Sequence, residues 1–397
     1  MDFSTVELSP EDQRFRAELR DFLTRHVTAE VIRRDRETGD NFDEGVHTAL
    51  GAAGYLEKDF RSEAEGGWNA LRRRIWELEI GRAHTPWFHW GTTAMVAQSV
   101  EKFGTPELRD EVIPGVLTGE IRLCLGYTEP EGGSDVATCR TRAVREADGS
   151  SWIINGAKMF TSNAHHAQYV FLLTNTDPAA PKHQSLTMFL VPLDTPGIEI
   201  GPIRTVDGDR TNIVYYSDVR VDDHYRIGEV NGGWTVLREA LNVEHGTVER
   251  DSQGLQKLAT MTEHALLTAE GLDRAVAVAA SPGPDGRRLL DDESVQYRLG
   301  RSVARLEAAL STPAEYGRVA IAQMMRDITP ELMDVLGAAS ALPVDTTGAA
   351  ADGAVEYLFR LASPVAIYGG TVEVFRNMIA QHALGLGKPS YGTPVKR

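Results

Sequence analysis

Apolar side chains along this chain recur first at a helical spacing, then at a strand spacing, then at a helical spacing again. Ser9-Pro10-Glu11-Asp12 joins a capping hydroxyl, a proline suited to the first helical position and two acids in the first turn. Phe15, Leu19, Phe22 and Leu23 follow on one helical face. Similar patterns predict helices over 70–83, over 92–103 and from Pro106 toward Thr118, with Gly66-Gly67 as a break. The first 120 residues therefore predict a helical domain.

From Ile121 to about Gly228 the apolar runs become short and β-rich. Trp152-Ile153-Ile154 follows an Asp148-Gly149 turn, as the second arm of a hairpin would. Tyr169 to Leu173, Leu186 to Val191 and Ile213 to Tyr216 have strand composition, and their spacing suggests a small barrel or sandwich. After Asn231-Gly232-Gly233 the texture is helical over 234–279, then over 291–325, 330–340, 353–362 and 371–384, with Ser281-Pro282-Gly283-Pro284-Asp285-Gly286 as a loop. The expected class is α+β, with domains over 1–120 (helical), 121–230 (β) and 231–397 (helical). The order excludes a doubly wound nucleotide-binding fold, in which strands and helices alternate.

Composition narrows the function classes. A formal charge of −16 argues against a nucleic-acid partner, because phosphate backbones are bound mainly through positive charge. Cys124 and Cys139 are the only cysteines and form neither a zinc framework nor a disulfide scaffold. Met1-Asp2-Phe3-Ser4 lacks a secretory pattern, and no apolar run approaches the ~20 residues of a membrane span, so a cytoplasmic protein is expected. Gly385-Leu386-Gly387-Lys388 lacks the spacing of a phosphate loop. His165 and His166 would face opposite ways in an extended strand and make a poor metal pair, so a polar loop and no metal site are expected.

Three segments carry more chemistry. Tyr127-Thr128-Glu129-Pro130-Glu131-Gly132-Gly133-Ser134-Asp135 sets hydroxyls around a glycine turn, where amides and hydroxyls can converge on an anionic or carbonyl-bearing ligand. Asn155-Gly156-Ala157-Lys158-Met159-Phe160-Thr161-Ser162-Asn163 follows. Near the C-terminus stands Ile367-Tyr368-Gly369-Gly370-Thr371-Val372-Glu373-Val374-Phe375-Arg376-Asn377.

In this order and spacing the three segments resemble the acyl-CoA dehydrogenase family, and the resemblance covers nearly the whole chain. It implies an N-terminal helical domain, a central β domain and a C-terminal four-helix bundle, with FAD held between the last two. By match to the family motifs, Tyr127, Thr128 and Ser134 line the flavin and the pyrophosphate or thioester end of the site. Phe160 stands where the family places an aromatic beside the isoalloxazine ring, and Ser162 where it places a hydroxyl near flavin N5. Gly370, Thr371 and Glu373 match the C-terminal cofactor segment.

The implied reaction, α,β-desaturation of an acyl-CoA, needs a carboxylate base facing the α carbon across from the flavin. The commonest family position for that Glu is Gly369 here. A second family arrangement places it early in the bundle's first long helix, and Glu244 in Leu241-Asn242-Val243-Glu244-His245 falls on that position. Glu249 is the rival; five residues along a helix is about 500°, roughly 140° around the axis, so the two cannot both face the flavin.

Two departures qualify the match. His245 replaces a frequent Arg, and Gly286-Arg287-Arg288-Leu289-Leu290-Asp291 lacks the Arg-x-x-Phe-Gly segment of many homotetrameric members. Together with Tyr215-Tyr216-Ser217-Asp218-Val219-Arg220-Val221, these features are similar to the base-bearing subunit of actinobacterial steroid side-chain acyl-CoA dehydrogenases, which are α2β2 heterotetramers. The resemblance thus implies a bulky or branched acyl-CoA substrate, a homologous partner subunit and an electron-transfer flavoprotein or similar acceptor. The alternatives are a flavin monooxygenase on the same fold and a non-catalytic subunit of a hetero-oligomer.

Overall fold

Short polar side chains set the helix starts of the N-terminal third. Ser9, Thr28, Asp43, Asn69 and Thr105 each accept a backbone N–H from the first turn of the helix that follows. The helices are α1 (Pro10–His26), α2 (Ala29–Thr38), α3 (Glu44–Ala52), α4 (Tyr55–Phe60), α5 (Ala70–Arg82), α6 (His89–Phe103) and α7 (Pro106–Thr118). The computed structural model describes residues 7–244, 261–283 and 285–387. It divides into two compact units, Met1–Leu255 and Gln256–Arg397. His245 and Glu249 lie outside the described residues, as do the N-terminal Met1–Ser4 and Lys388.

In the first unit, α1 buries Leu19, Phe22 and Leu23, as its spacing predicts, while Phe15 packs edge-on to Trp68. Strands β1 (Leu123–Gly126), β2 (Arg142–Arg145), β3 (Ser151–Met159), β4 (Tyr169–Asn175), β5 (Leu186–Pro192), β6 (Ile198–Arg204), β7 (Arg210–Asp222) and β8 (Arg226–Ile227) form one eight-stranded sheet. Its order is β6-β7-β3-β2-β4-β5-β8, with β1 parallel to β4. The expected hairpin is β2–β3, in which Arg145 pairs with Trp152.

β4 and β5 are buried on both faces, which accounts for their nearly unbroken apolar runs. Phe171, Leu173, Leu186, Met188 and Leu190 join the helical core, while Val170, Leu172, Phe189 and Val191 pack into a second cluster with Trp152, Val214 and Val219. Helix α8 (Gly233–Glu244) belongs to this unit and packs Val236, Leu237 and Ala240 into the helical core.

The second unit holds α9 (Thr262–Ala280), α10 (Glu293–Leu310), α11 (Ala314–Leu336), α12 (Ala354–Val365) and α13 (Val372–Met378), the last continuing into a wide π turn over Ile379–Ala383. Helices α9 to α12 share one core built on Leu272, Leu306, Ile321, Met325, Leu332, Leu358 and Val365. Gly271 lets α9 and α12 approach closely, since a Cβ there would sit 2.2 Å from Leu358 Cδ1. Among the described residues, no helix is long and apolar enough to cross a membrane.

Candidate active site

The first two sequence segments meet at adjoining ends of β1 and β3. Thr128 accepts the backbone N–H of Met159 at 2.8 Å, so the residues just after β1 are clamped to the end of β3. Beside this contact, the fully buried Lys158 ammonium donates to the Glu129 carboxylate at 2.8 Å and to the Tyr127 carbonyl at 3.2 Å. Glu129 also accepts the backbone N–H groups of Arg140 and Thr141, each at 2.8 Å. Burial pushes its carboxyl up, but Lys158 and these donors outweigh burial and hold it at about 2. Glu129 is therefore a permanently charged latch, not a proton carrier. The same burial pushes the Cys139 thiol up to about 11, which keeps it protonated and unreactive.

Tyr127 is buried against Phe171, with ring centroids 6.0 Å apart. Ser134 lies exposed in the turn that follows, and a Cβ built on neighbouring Gly133 would come 3.8 Å from the Thr128 methyl, so the turn leans over Thr128. Phe160 is 54% exposed although it is a large aromatic, and it is held at φ 60°. Asn163 is also left-handed, at φ 62°. Asparagine adopts this conformation readily, but phenylalanine does so only where its surroundings impose it.

Between them, the Thr161 N–H donates to the Asn212 carbonyl on β7 at 2.9 Å and the Asn212 side-chain amide donates to the Thr161 carbonyl at 3.0 Å, while Ser162 Oγ meets Thr211 Oγ1 at 3.0 Å. Thr161 Oγ1 is buried with no hydrogen-bond partner among the described residues. An exposed aromatic face, an orphaned hydroxyl and a turn with open space fit a flat cofactor that accepts hydrogen bonds at its edge. Tyr127, Thr128, Phe160 and Ser162 are thus brought together, with Ser134 in the adjoining turn.

The sequence reading missed Glu129, Lys158, Thr211 and Asn212 as the supports of this corner. Lys158 carried a signal, as a lysine inside a strand only two residues from Phe160. Asn212 carried none, since its partnership with Thr161 arises from strand pairing.

His165 and His166 lie in a loop, as expected, but their side chains do not face opposite ways. Residues 162–166 form a turn, not a strand, and both imidazoles converge on the buried Asp40 carboxylate, at 3.0 and 3.3 Å. The three side chains offer ligand atoms within 4.8 Å of one another.

In the second unit, Gly369 and Gly370 are left-handed at φ 60° and 90°, and the Thr371 hydroxyl caps α13 by accepting the Val374 N–H. Gly370 and Thr371 are half-buried, and Glu373 is exposed in the first turn of α13. Arg318 on α11, almost wholly buried, donates to the carbonyls of Tyr368 at 2.6 Å and Gly370 at 3.0 Å. It fixes the glycine pair from beneath. The backbone of Glu244 is the last residue of α8, and its side chain lies outside what the structure describes.

Comparison with known proteins follows the same layout. The chain matches the family descriptions "Acyl-CoA dehydrogenase, N-terminal domain" over residues 9–120 and "Acyl-CoA dehydrogenase, middle domain" over residues 124–223. It is 30% identical to acyl-CoA dehydrogenase FadE26 of Mycobacterium tuberculosis, over 96% of this chain and 98% of that one. Among solved structures, the Tcur3481-Tcur3483 steroid ACAD is 30% identical with a TM-score of 0.80, over 97% of this chain and 100% of that one. The ChsE4-ChsE5 complex from Mycobacterium tuberculosis is 29% identical with a TM-score of 0.80, at the same coverage. With its fold, its paired motifs and these relatives in agreement, the chain belongs to the acyl-CoA dehydrogenase family, oxidoreductases acting on acyl-CoA.

Proposed function

We propose that this chain is the base-bearing subunit of a FAD-dependent dehydrogenase that desaturates a bulky or branched acyl-CoA between its α and β carbons. The observation that carries the reading is the clamp of Thr128 to Met159. It sets the hydroxyl turn of the first motif beside the exposed aromatic Phe160 and the hydroxyls of Thr161 and Ser162. Bound FAD supplies the two-electron acceptor for the hydride that leaves the β carbon. Phe160 offers its face to the ring system, and Thr128, Thr161 and Ser162 offer donors to the ring edge. In the second unit, Gly370, Thr371 and Glu373 are the residues assigned to the remaining cofactor contacts.

Glu244 is the residue assigned to take the α proton. The helical period of α8 sets position 244 on the same stripe as Leu237 and Ala240, away from exposed Thr235 and Arg238. Position 369, the commoner site of the base, is left-handed here, where a glutamate would be strained by about 1–2 kcal/mol. Its backbone N–H is instead available to polarise the thioester carbonyl.

A steroid-bearing acyl group is supported by similarity to a protein titled a steroid ACAD. A homologous partner subunit is supported by the two-chain names of both solved relatives. Reoxidation is assigned to an electron-transfer flavoprotein or similar acceptor.

The test is anaerobic mixing of the flavin-loaded protein with a panel of CoA thioesters, with and without a co-expressed homologue. Bleaching of the flavin without added reductant is expected. Glu244→Gln should keep FAD and lose on the order of 10²–10⁴-fold in bleaching rate. A variant that bleaches like the parent eliminates the assignment, and a parent that no thioester bleaches eliminates the dehydrogenase.

A further inference from the structure

Asp40, His165 and His166 gather two imidazoles and a carboxylate at a seam between the α2–α3 loop and the turn after β3. Two imidazoles and a carboxylate are the donor set of a zinc-like cation. The hydrogen bonds point elsewhere. His165 Nδ1 lies 3.1 Å from the Asn212 amide nitrogen, which also donates to the Thr161 carbonyl at 3.0 Å. An amide N–H facing Nδ1 places the His165 proton on Nε2, and that Nε2–H donates to Asp40 at 3.0 Å. The nitrogen a cation would need is therefore already committed as a donor.

What results is a continuous chain from Asp40 through His165 and Asn212 to Thr161. Its far end is anchored twice over. The His89 imidazole meets the Asp40 carbonyl at 3.0 Å. The loop is also pinned to β7, where the Arg210 N–H donates to the Gly39 carbonyl at 2.6 Å. Gly39 is seated so closely that a Cβ there would fall 2.2 Å from the Gly208 carbonyl oxygen. Its near end is the segment between two left-handed residues, Phe160 and Asn163. Phenylalanine in that conformation persists only where its surroundings over-determine it, and this chain reaches the segment from the helical side.

We infer that Asp40 and His165 are positioning residues, which act through Asn212 to hold Phe160, Thr161 and Ser162 in the geometry that faces the cofactor. The inference rests on the proposed function, since it takes that segment to be the flavin-facing one. His166 touches the same carboxylate and packs against the His165 ring, with centroids 4.2 Å apart, but among the described residues it shares no hydrogen bond with Asn212, so it is not a link in the chain. A residue that orients a hydroxyl-bearing segment without touching substrate changes turnover and the flavin's surroundings, and leaves substrate affinity nearly alone.

The test uses the flavin-loaded protein with its partner subunit. His165→Phe keeps the ring volume and removes both hydrogen bonds. It is expected to lower kcat about tenfold or more, hold KM within about threefold, and shift the flavin absorption maximum and midpoint potential. His165→Gln, whose amide carries one acceptor and one donor, should recover much of each change. His166→Ala should resemble the parent. Should His165→Phe fail to fold, Asp40→Asn gives the same comparison from the other end, with a smaller loss of kcat and a smaller spectral shift expected.

A His165→Phe protein with parental kcat, spectrum and potential overturns the inference. So does stoichiometric zinc or cobalt retained by the parent and lost in His165→Phe, which would make the cluster a metal site. A parent that acyl-CoA does not bleach sinks the proposed function instead, and the two failures are distinguishable.

Discussion

Glu129 holds a charge in a place that would otherwise neutralise it. Only about a tenth of its side chain is exposed, and Lys158 opposite is fully buried. Each ion alone is costly to bury, so removing one partner is far worse than removing both. Lys158→Met should destabilise the first unit by about 3–5 kcal/mol, read from urea unfolding at neutral pH. Adding Glu129→Gln to it should recover most of that loss, and a double variant no more stable than Lys158→Met would show that the pair is not coupled. The sign with pH follows from the depressed carboxyl. Its contribution is full above the ordinary glutamate value of 4.5 and is lost as pH falls from there toward about 2. At this scale the sequence singled out Thr128, Phe160 and Ser162 because they stand in recognisable motifs, and the fold sets these motifs side by side. The ion pair was not legible, because its members are 29 positions apart and meet only once β1 and β3 take their places in the sheet. The facing of the His165 and His166 imidazoles was misread for a related reason, although their place in a polar loop was legible. A strand alternates its side chains, but these residues occupy a turn, which lets neighbours point the same way.

Helix α2 ends with an acid where a helix is least hospitable to one. Asp35 sits in its last turn, near the negative end of the helix dipole, and accepts the Phe42 N–H at 3.1 Å. Burial raises its carboxyl to about 6, against the pull of that hydrogen bond. A folded value above the unfolded one means that the native state binds the proton more tightly, so Asp35 costs stability as pH rises through 4 to 6. Asp35→Asn keeps the acceptor and removes the charge. It is expected to stabilise the protein by about 1–3 kcal/mol at pH 7.5 and by only about a third of that at pH 4.5, and equal effects at both pH values would refute the assignment. Element boundaries show which local signals can be trusted. The single helix expected over 291–325 breaks between Leu310 and Ala314 at Thr312-Pro313, while the start expected at Pro330 lies inside α11. Proline removes one hydrogen bond wherever it falls. Apolar spacing alone does not reveal that packing of Ile328 and Leu332 carries α11 through one such loss.

Two buried histidines tie the stability of the first unit to pH. His47 and His89, both in the first unit, are buried, and burial lowers each to about 4. A histidine whose folded value is depressed contributes stability that is present above its ordinary 6.5 and is lost as pH falls through the interval to about 4. Each is worth up to roughly 3 kcal/mol by that reckoning, while Asp35 returns a similar amount over much of the same interval. Two losses against one gain from these three groups weaken the first unit by roughly 3 kcal/mol on going from pH 7 to pH 4, and Glu129 adds to the loss at the acid end. The net charge of −16 falls toward zero near the isoelectric point of 5.2 in the same window, so lost charge repulsion also favours association there. The cores of the two units are separate clusters of buried residues, and all six tryptophans fall in the first. Tryptophan emission therefore reports one unit, while far-UV circular dichroism reports helices of both. In cofactor-free protein taken stepwise from pH 7 to pH 4 in moderate urea, the emission change should coincide with a first, partial loss of helical signal, from α1–α8, and precede the rest. Replacing His89 with phenylalanine should move the emission midpoint to lower pH and leave the later helical transition in place. Coincident transitions in the parent would mean that the whole chain melts as one cooperative body, with the histidine effect spread across it.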